Sequence, residues 1–108
     1  MKSKRDFSVS TGNVFADLDV SAPDEALAKA QLAAEVARII SSRRLTQAAA
    51  AKVLRIDQPK VSALLRGRIS GFSTERLLKY LRMLGSDVDI IRAPNRARRV
   101  GHLHVVSA

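Results

Sequence analysis

The fold is decided by the segment Thr46–Gly67, which reads TQAAAAKVLRIDQPKVSALLRG. Two stretches of good helix formers lie in it. Each follows a residue whose side chain can accept a hydrogen bond from the first turn of a helix, Thr46 or Asp57. We therefore predict one helix over residues 47–54 and a second over about 58–66, with a three-residue break between them.

The two predicted helices carry small and apolar residues on the sides that would face each other. Ala51 is expected where the helices cross, because a larger side chain there would push them apart. Gly67 ends the second helix in the left-handed conformation that favours glycine. The residues expected to be buried are Ala50, Ala51, Leu54, Val61, Leu64 and Leu65. Two short helices joined by a tight turn are typical of a helix-turn-helix unit.

One longer helix is predicted before this unit and one after it. Ser21 is a good N-cap residue, and the apolar spacing that follows predicts a helix over about 22–43. Phe72 and Ser73 repeat the staple-and-cap arrangement before a helix that ends at about Leu84. The expected core positions are Leu32, Val36, Ile39 and Ile40 in the first of these helices, and Leu77, Leu78, Leu81 and Leu84 in the second.

The two ends of the chain lack helical periodicity. Residues 1–20 are interpreted as a flexible N-terminal arm, with Val14 and Phe15 as the point best suited to dock on the body. Strict alternation over Asp87–Ile90 predicts a β-strand, and His102–Val106 is a candidate second strand. The expected divisions are an arm, 1–20, a helical domain, 21–85, and a C-terminal strand or hairpin extension, 86–108.

Charge is unevenly distributed along the chain. Its 108 residues include 19 Lys and Arg against 10 Asp and Glu, which gives a formal charge of +9. Residues 1–35 have four basic and six acidic side chains, whereas residues 36–108 have fifteen basic and four acidic ones, a net charge of +11. A domain this basic repels itself unless a polyanion faces it, and nucleic acid is the usual polyanion inside a cell. A well-solvated surface is the alternative.

The composition excludes several classes of protein. No cysteine is present, which rules out a disulfide scaffold, a thiolate zinc site and a cysteine nucleophile. His102 and His104 share a face of the predicted strand, but two imidazoles are an incomplete metal site, and no acid–base pair suggests an enzyme. No apolar run is long enough to span a membrane. We expect a cytoplasmic protein without cofactor, metal or membrane partner.

The start of the second short helix has the residue types of a DNA contact. A helix whose N-terminal end enters the major groove carries outward-facing side chains to base edges. Gln58, Lys60 and Ser62 would face outward there, and Lys60 could equally bind a phosphate. The basic run Arg96–Arg99 is expected to be a solvated loop, with a phosphate or RNA contact as the alternative.

The central segment resembles the Cro/repressor family of Xre-type helix-turn-helix proteins. The matching positions are Thr46, Gln47, Ala51, Ile56, Gln58, Val61, Leu64 and the run Leu65–Gly67. The family usually has glycine at the turn position that is Arg55 here, and a non-glycine residue with positive φ costs on the order of 1 kcal/mol. An altered turn and a strained turn both remain open. The resemblance implies a mainly α, lambda-repressor-like domain of four to five helices with a short C-terminal β-strand or hairpin.

A wider resemblance covers about residues 13–106. Asn13–Leu18, Leu65–Ser73 and Val88–Ile91 look like a branch of this family whose members are often antitoxins of the HigA type. The resemblance implies a homodimeric repressor that binds its own double-stranded DNA operator and neutralises a RelE-like toxin ribonuclease. The alternatives are a stand-alone phage-type repressor and a protein-interaction module without specific DNA binding.

The resemblance also implies roles for single residues. Gln47 would bind a phosphate at the start of its helix, and Gln58 would read a base, adenine being the natural partner of its amide. The full set of expected DNA-binding residues is Arg43, Arg44, Thr46, Gln47, Gln58, Lys60, Ser62, Arg66 and Arg68.

Dimerisation is expected on physical grounds as well. One helix-turn-helix covers one half-site, whereas a two-fold dimer covers two half-sites about 34 Å apart. The predicted C-terminal strands would leave unpaired edges, so residues 86–92 or 100–106 are expected to form an intermolecular sheet.

Overall fold

The computed structural model describes residues 22–97 and 100–107. These residues contain four α-helices: α1 Ala22–Ser42, α2 Gln47–Leu54, α3 Gln58–Leu65 and α4 Thr74–Met83. The four helices predicted from the sequence are confirmed, with C-terminal ends within one residue of the expected positions. The predicted arm, 1–20, and the predicted Ser21 cap lie outside the described residues.

The starts of α2, α3 and α4 are each fixed by a side-chain cap. The amides of Ala49, Lys60 and Arg76 donate to the side-chain oxygens of Thr46, Asp57 and Ser73, with N···O distances of 3.0, 3.1 and 3.1 Å. These bonds satisfy amides that have no partner within their own helix. The three caps predicted from the sequence are confirmed.

The core is formed where α1 crosses α4 and α3, and it continues between α2 and α3. It is aliphatic except for Phe72 and Tyr80, whose rings meet edge to face with centroids 6.1 Å apart. Ile39, Ala51, Leu65 and Leu78 were expected in the core but are half-buried at its edge. In α2 the fully enclosed small residue is Ala50. The buried residues of the four helices are Ala28, Leu32, Ala33, Val36, Ile40, Ala50, Leu54, Val61, Leu64, Leu77, Tyr80 and Leu81.

The C-terminal extension has no regular secondary structure in the residues described after α4, so the predicted β-strand or hairpin is not found there. Val88 and Val105 pack against the core, while Ile90, Ile91 and Val106 stay exposed. The alternating pattern over Asp87–Ile90 does not correspond to one buried face, since only Val88 of its two apolar residues packs against the core. It does not produce strand pairing within the described part of one chain.

The tail, residues 102–107, lies along α1. His102 donates from Nδ1 to Asp24 at 2.9 Å, and Ser107 hydrogen-bonds Glu35. The bond from His102, with a backbone bond from Leu103, lowers the pKa of Asp24. Hydrogen bonds from Arg38 and then Ser107 lower the pKa of Glu35.

Candidate nucleic-acid interface

The unit formed by α2 and α3 is held together by four buried side chains, Ala50 and Leu54 from α2 and Val61 and Leu64 from α3. These residues are at most 2% exposed, so the contact between the two helices excludes solvent. The angle of α3 relative to α2 is therefore set by close packing.

The first turn of α3 points into solvent. Gln58, Pro59 and Lys60 are exposed, whereas Val61, the next residue, is fully buried. Ser62 lies one turn further on and is half-buried. The side-chain amide of Gln58 offers both a donor and an acceptor, and Lys60 adds a positive charge beside it. This end of α3 thus presents the chemistry that a base edge and a phosphate require.

The start of α2 has the features of an anion site. Gln47 is exposed in the first helical turn. Thr46 accepts the cap bond through its hydroxyl oxygen, which leaves the hydroxyl hydrogen free to be donated. The first amides of a helix point outward without partners, and the helix dipole favours negative charge there.

Two predicted residues follow the C-terminal end of α3. Arg66 and Arg68 are both exposed. Gly67, between them, has φ of +76°, and the amide of Arg68 donates back to the carbonyl of Ala63 at 2.9 Å. This closed turn fixes the backbone from which the two guanidinium groups extend.

Arg43 and Arg44 lie between α1 and α2 and differ in their surroundings. Arg43 donates from Nη1 to the main-chain carbonyl of Leu84 at 3.2 Å, so part of its guanidinium group joins the end of α4 to the α1–α2 connection. Arg44 is exposed, with φ of +56°. No sequence pattern predicts the contact between Arg43 and Leu84, because the two residues are 41 positions apart.

Positive charge dominates residues 43–68, which contain seven Lys and Arg and one acid, Asp57. That carboxylate caps α3 through Oδ1. The ion pairs seen among the described residues are Glu35–Arg38 and Asp24–His102, and both involve α1. None of the seven cations is neutralised by an ion pair within the described part of the chain, so the helix-turn-helix surface carries a strong positive potential.

The turn between α2 and α3 keeps left-handed geometry despite the missing glycine. Arg55 has φ of +59° and ψ of +42°, and the amide of Ile56 donates to the carbonyl of Ala51 at 3.1 Å. Of the two possibilities left open by the sequence, the structure has the strained turn. Arg55 is exposed and was not among the expected DNA-binding residues. The sequence feature that marks this position is the arginine where the family usually has glycine.

Other kinds of site have little support in the described residues. Among them no three or more His, Asp or Glu side chains come together as a metal site would require. None of the helices has the length and apolar character needed to cross a membrane.

Comparison with known proteins agrees with this geometry. A family model described as "Helix-turn-helix domain" matches residues 14–91. A solved structure of a protein named as an XRE family transcriptional regulator has 43% sequence identity to this chain. The two superpose with a TM-score of 0.73 over 81% of this chain and 99% of the other. A search of curated proteins found no match. The match over most of the chain and the high identity to one solved relative show that the chain belongs to the XRE-type family of helix-turn-helix transcription regulators.

Proposed function

We propose that the protein is a repressor that inserts the first turn of α3 into the major groove of a specific double-stranded DNA operator. Gln58 reads a base edge, Lys60 and Ser62 flank it, and Gln47 and Thr46 hold a phosphate at the start of α2. The remaining predicted residues, Arg43, Arg44, Arg66 and Arg68, bind the backbone on either side. The observation that carries the proposal is the exposed polar first turn of α3, fixed at its base by buried Val61 and Leu64.

Salt dependence gives the first test. Each phosphate neutralised by Lys or Arg contributes about −0.9 to the slope of log affinity against log salt. If Arg43, Arg44, Arg66 and Arg68 each bind one phosphate in both copies of a dimer, the slope is about −7. The probe is a 30-base-pair duplex selected by the protein from a random pool, measured by fluorescence anisotropy. A flat response would instead favour a protein-interaction module.

A pair of variants tests the assigned roles. Gln58→Ala removes a base contact, and such a contact contributes about 1–3 kcal/mol of discrimination between bases. The variant should therefore have a smaller difference in affinity between the selected duplex and a scrambled one. Arg68→Ala should weaken binding to both duplexes alike and make the salt slope shallower. Equal losses on both duplexes for both variants would contradict the role given to Gln58.

A homodimer is part of the proposal, and its interface is the cleft beside the C-terminal extension. The cleft has a volume of about 500 Å³ and is walled by α1, α4 and residues 86–91 and 103–107. Ile90, Ile91 and Val106 at its margin are 85%, 88% and 81% exposed. A second copy is the occupant we favour, because a two-fold axis places the same apolar set on both sides and supplies strand partners for both extensions.

The hydrophobic contribution to dimerisation is of the same order as the cost of association. Burying a fully exposed Val or Ile contributes about 1.5–3 kcal/mol. Six such side chains in two copies give about 9–18 kcal/mol as an upper bound, against an association cost of about 4–15 kcal/mol. Backbone pairing between the extensions would add to this balance.

Substitution at the cleft tests the dimer. Ile91→Glu should give a monomer in light scattering, whereas the matched control Leu27→Glu, at an apolar residue of α1 that is 58% exposed and outside the cleft, should leave the dimer intact. A dimer that persists in Ile91→Glu and after deletion of residues 86–108 would exclude this interface.

We further propose that the protein is a cytoplasmic antitoxin that represses its own operon and neutralises a RelE-like toxin ribonuclease. The support is the resemblance of residues 13–106 to the HigA-type branch. Co-expression with a short ribonuclease-like neighbouring reading frame tests it. Rescue of growth and co-purification of the two proteins are expected, and a toxic neighbour that is not rescued would leave a stand-alone repressor.

A further inference from the structure

All four helices end with the same hydrogen bond. The amide of one residue reaches back to the carbonyl five positions earlier, and the residue before that amide adopts a positive φ. The donor and acceptor pairs are Leu45–Ile40, Ile56–Ala51, Arg68–Ala63 and Ser86–Leu81, with distances of 3.0, 3.1, 2.9 and 2.9 Å. The positive-φ residues are Arg44, Arg55, Gly67 and Gly85.

Glycine adopts this conformation without steric cost, whereas an arginine there brings its Cβ close to the neighbouring carbonyl. Two of the four closures therefore carry avoidable strain. Arg44 is already among the residues proposed to bind DNA. Arg55, with φ of +59°, is exposed, and its side chain forms no ion pair with a described residue. The fold therefore gives no reason for an arginine at this strained position.

We propose that Arg55 binds the DNA backbone beside the groove that α3 enters; the proposal rests on the repressor function proposed above. Arg55 and Gln58 are three positions apart in the sequence, so their Cα atoms are at most about 11 Å apart. The major groove is about 12 Å wide. An arginine at this distance from the base-reading position can therefore reach a phosphate on the wall of the groove.

The neighbours of Arg55 support an outward, unpaired side chain. Ile56 is half-buried against the core, and the Oδ1 atom of Asp57 is engaged by the amide of Lys60. Asp57 nevertheless places a negative charge at the entry of α3 into the groove. Arg55 offsets that charge, and its planar guanidinium group suits phosphate.

The test uses opposite effects on stability and on binding. Arg55→Gly relieves the backbone strain, so its Tm should rise by several degrees. Its affinity for the selected duplex should fall on the order of tenfold, and the salt slope should become shallower by about 0.9 for each copy bound. Arg55→Asn, which tolerates the left-handed conformation without a charge, should lose the same affinity, whereas Arg55→Lys should keep most of the salt slope.

Lys29→Gln is the control for loss of one charge. Lys29 lies thirteen residues before the end of α1, about 20 Å along the helix from the α1–α2 connection, so its removal should leave the salt slope nearly unchanged. If Arg55→Gly gains stability but keeps the wild-type affinity and slope, Arg55 does not bind DNA, and the repressor proposal stands. A wild-type protein with no salt-dependent binding would overturn both proposals.

Discussion

The substitution Ala50→Val tests whether close packing sets the angle between α2 and α3. Ala50 is 0% exposed and shares a buried cluster with Val61 and Leu64. Ala50→Val adds two methyl groups where no space is free, and such overpacking costs about 1–3 kcal/mol. For a domain of this size, 1 kcal/mol shifts Tm by about 4–8 °C, so a drop of about 4–24 °C is expected.

Ala48→Val is the matched control, because Ala48 lies two residues earlier in α2 and is exposed. The same substitution there costs only the lower helix propensity of valine, at most about 0.7 kcal/mol. Thermal unfolding followed by circular dichroism at 222 nm measures both variants. Equal Tm values would show that the α2–α3 contact accommodates a larger side chain, so that packing would not fix the orientation of α3.

Three further substitutions probe single interactions. Asp57→Ser keeps a cap oxygen for α3 but removes the one carboxylate of residues 43–68. The free energy of unfolding should therefore change little, while the affinity for DNA should rise. An unchanged affinity at low salt would refute this. Arg43→Ala removes the bond to the carbonyl of Leu84 and should lower the free energy of unfolding by about 1–2 kcal/mol in urea; an unchanged midpoint would make the bond dispensable. The pKa of Asp24 is lowered in the folded state, so its tail contact is complete above its unfolded pKa and is lost as pH falls. Protection of the Leu103 amide against hydrogen exchange, measured as the ratio of its intrinsic to its observed exchange rate, should therefore fall below about pH 4, and it should be reduced in Asp24→Asn at all pH values. A protection ratio that stays the same across this pH range would exclude the contact.

Helix starts could be predicted from the sequence because a cap is a local interaction. Thr46, Asp57 and Ser73 each accept a bond from an amide three residues later, so the sequence contains both partners side by side. The exposed start of α3 followed in the same way, since Val61 and Leu64 had to face α2. These local rules predicted where the candidate interface lies.

Interactions between distant residues could not be predicted in this way. The bond from Arg43 to Leu84 and the contact of His102 with Asp24 join positions far apart in the chain, and neither partner has a sequence pattern of its own. Alternation over Asp87–Ile90 predicts a strand, but in the structure Val88 packs against the core while Ile90 is exposed. The strand prediction is not confirmed within the described part of one chain, and pairing between two copies stays a prediction.

The placement of the two proposed surfaces allows DNA binding and dimerisation to occur together. The cleft is lined by residues of α1, α4 and the C-terminal extension, and none of its lining residues lies between positions 40 and 73. A second copy in the cleft would therefore leave the first turns of α2 and α3 uncovered. Because α1 lines the cleft and packs against α3, and α4 lines the cleft and packs against α2, a dimer formed there would fix the spacing between the two α3 helices through rigid elements. The dimer should then tolerate only a small range of distances between the two half-sites. Inserting a few base pairs between the half-sites should abolish cooperative binding.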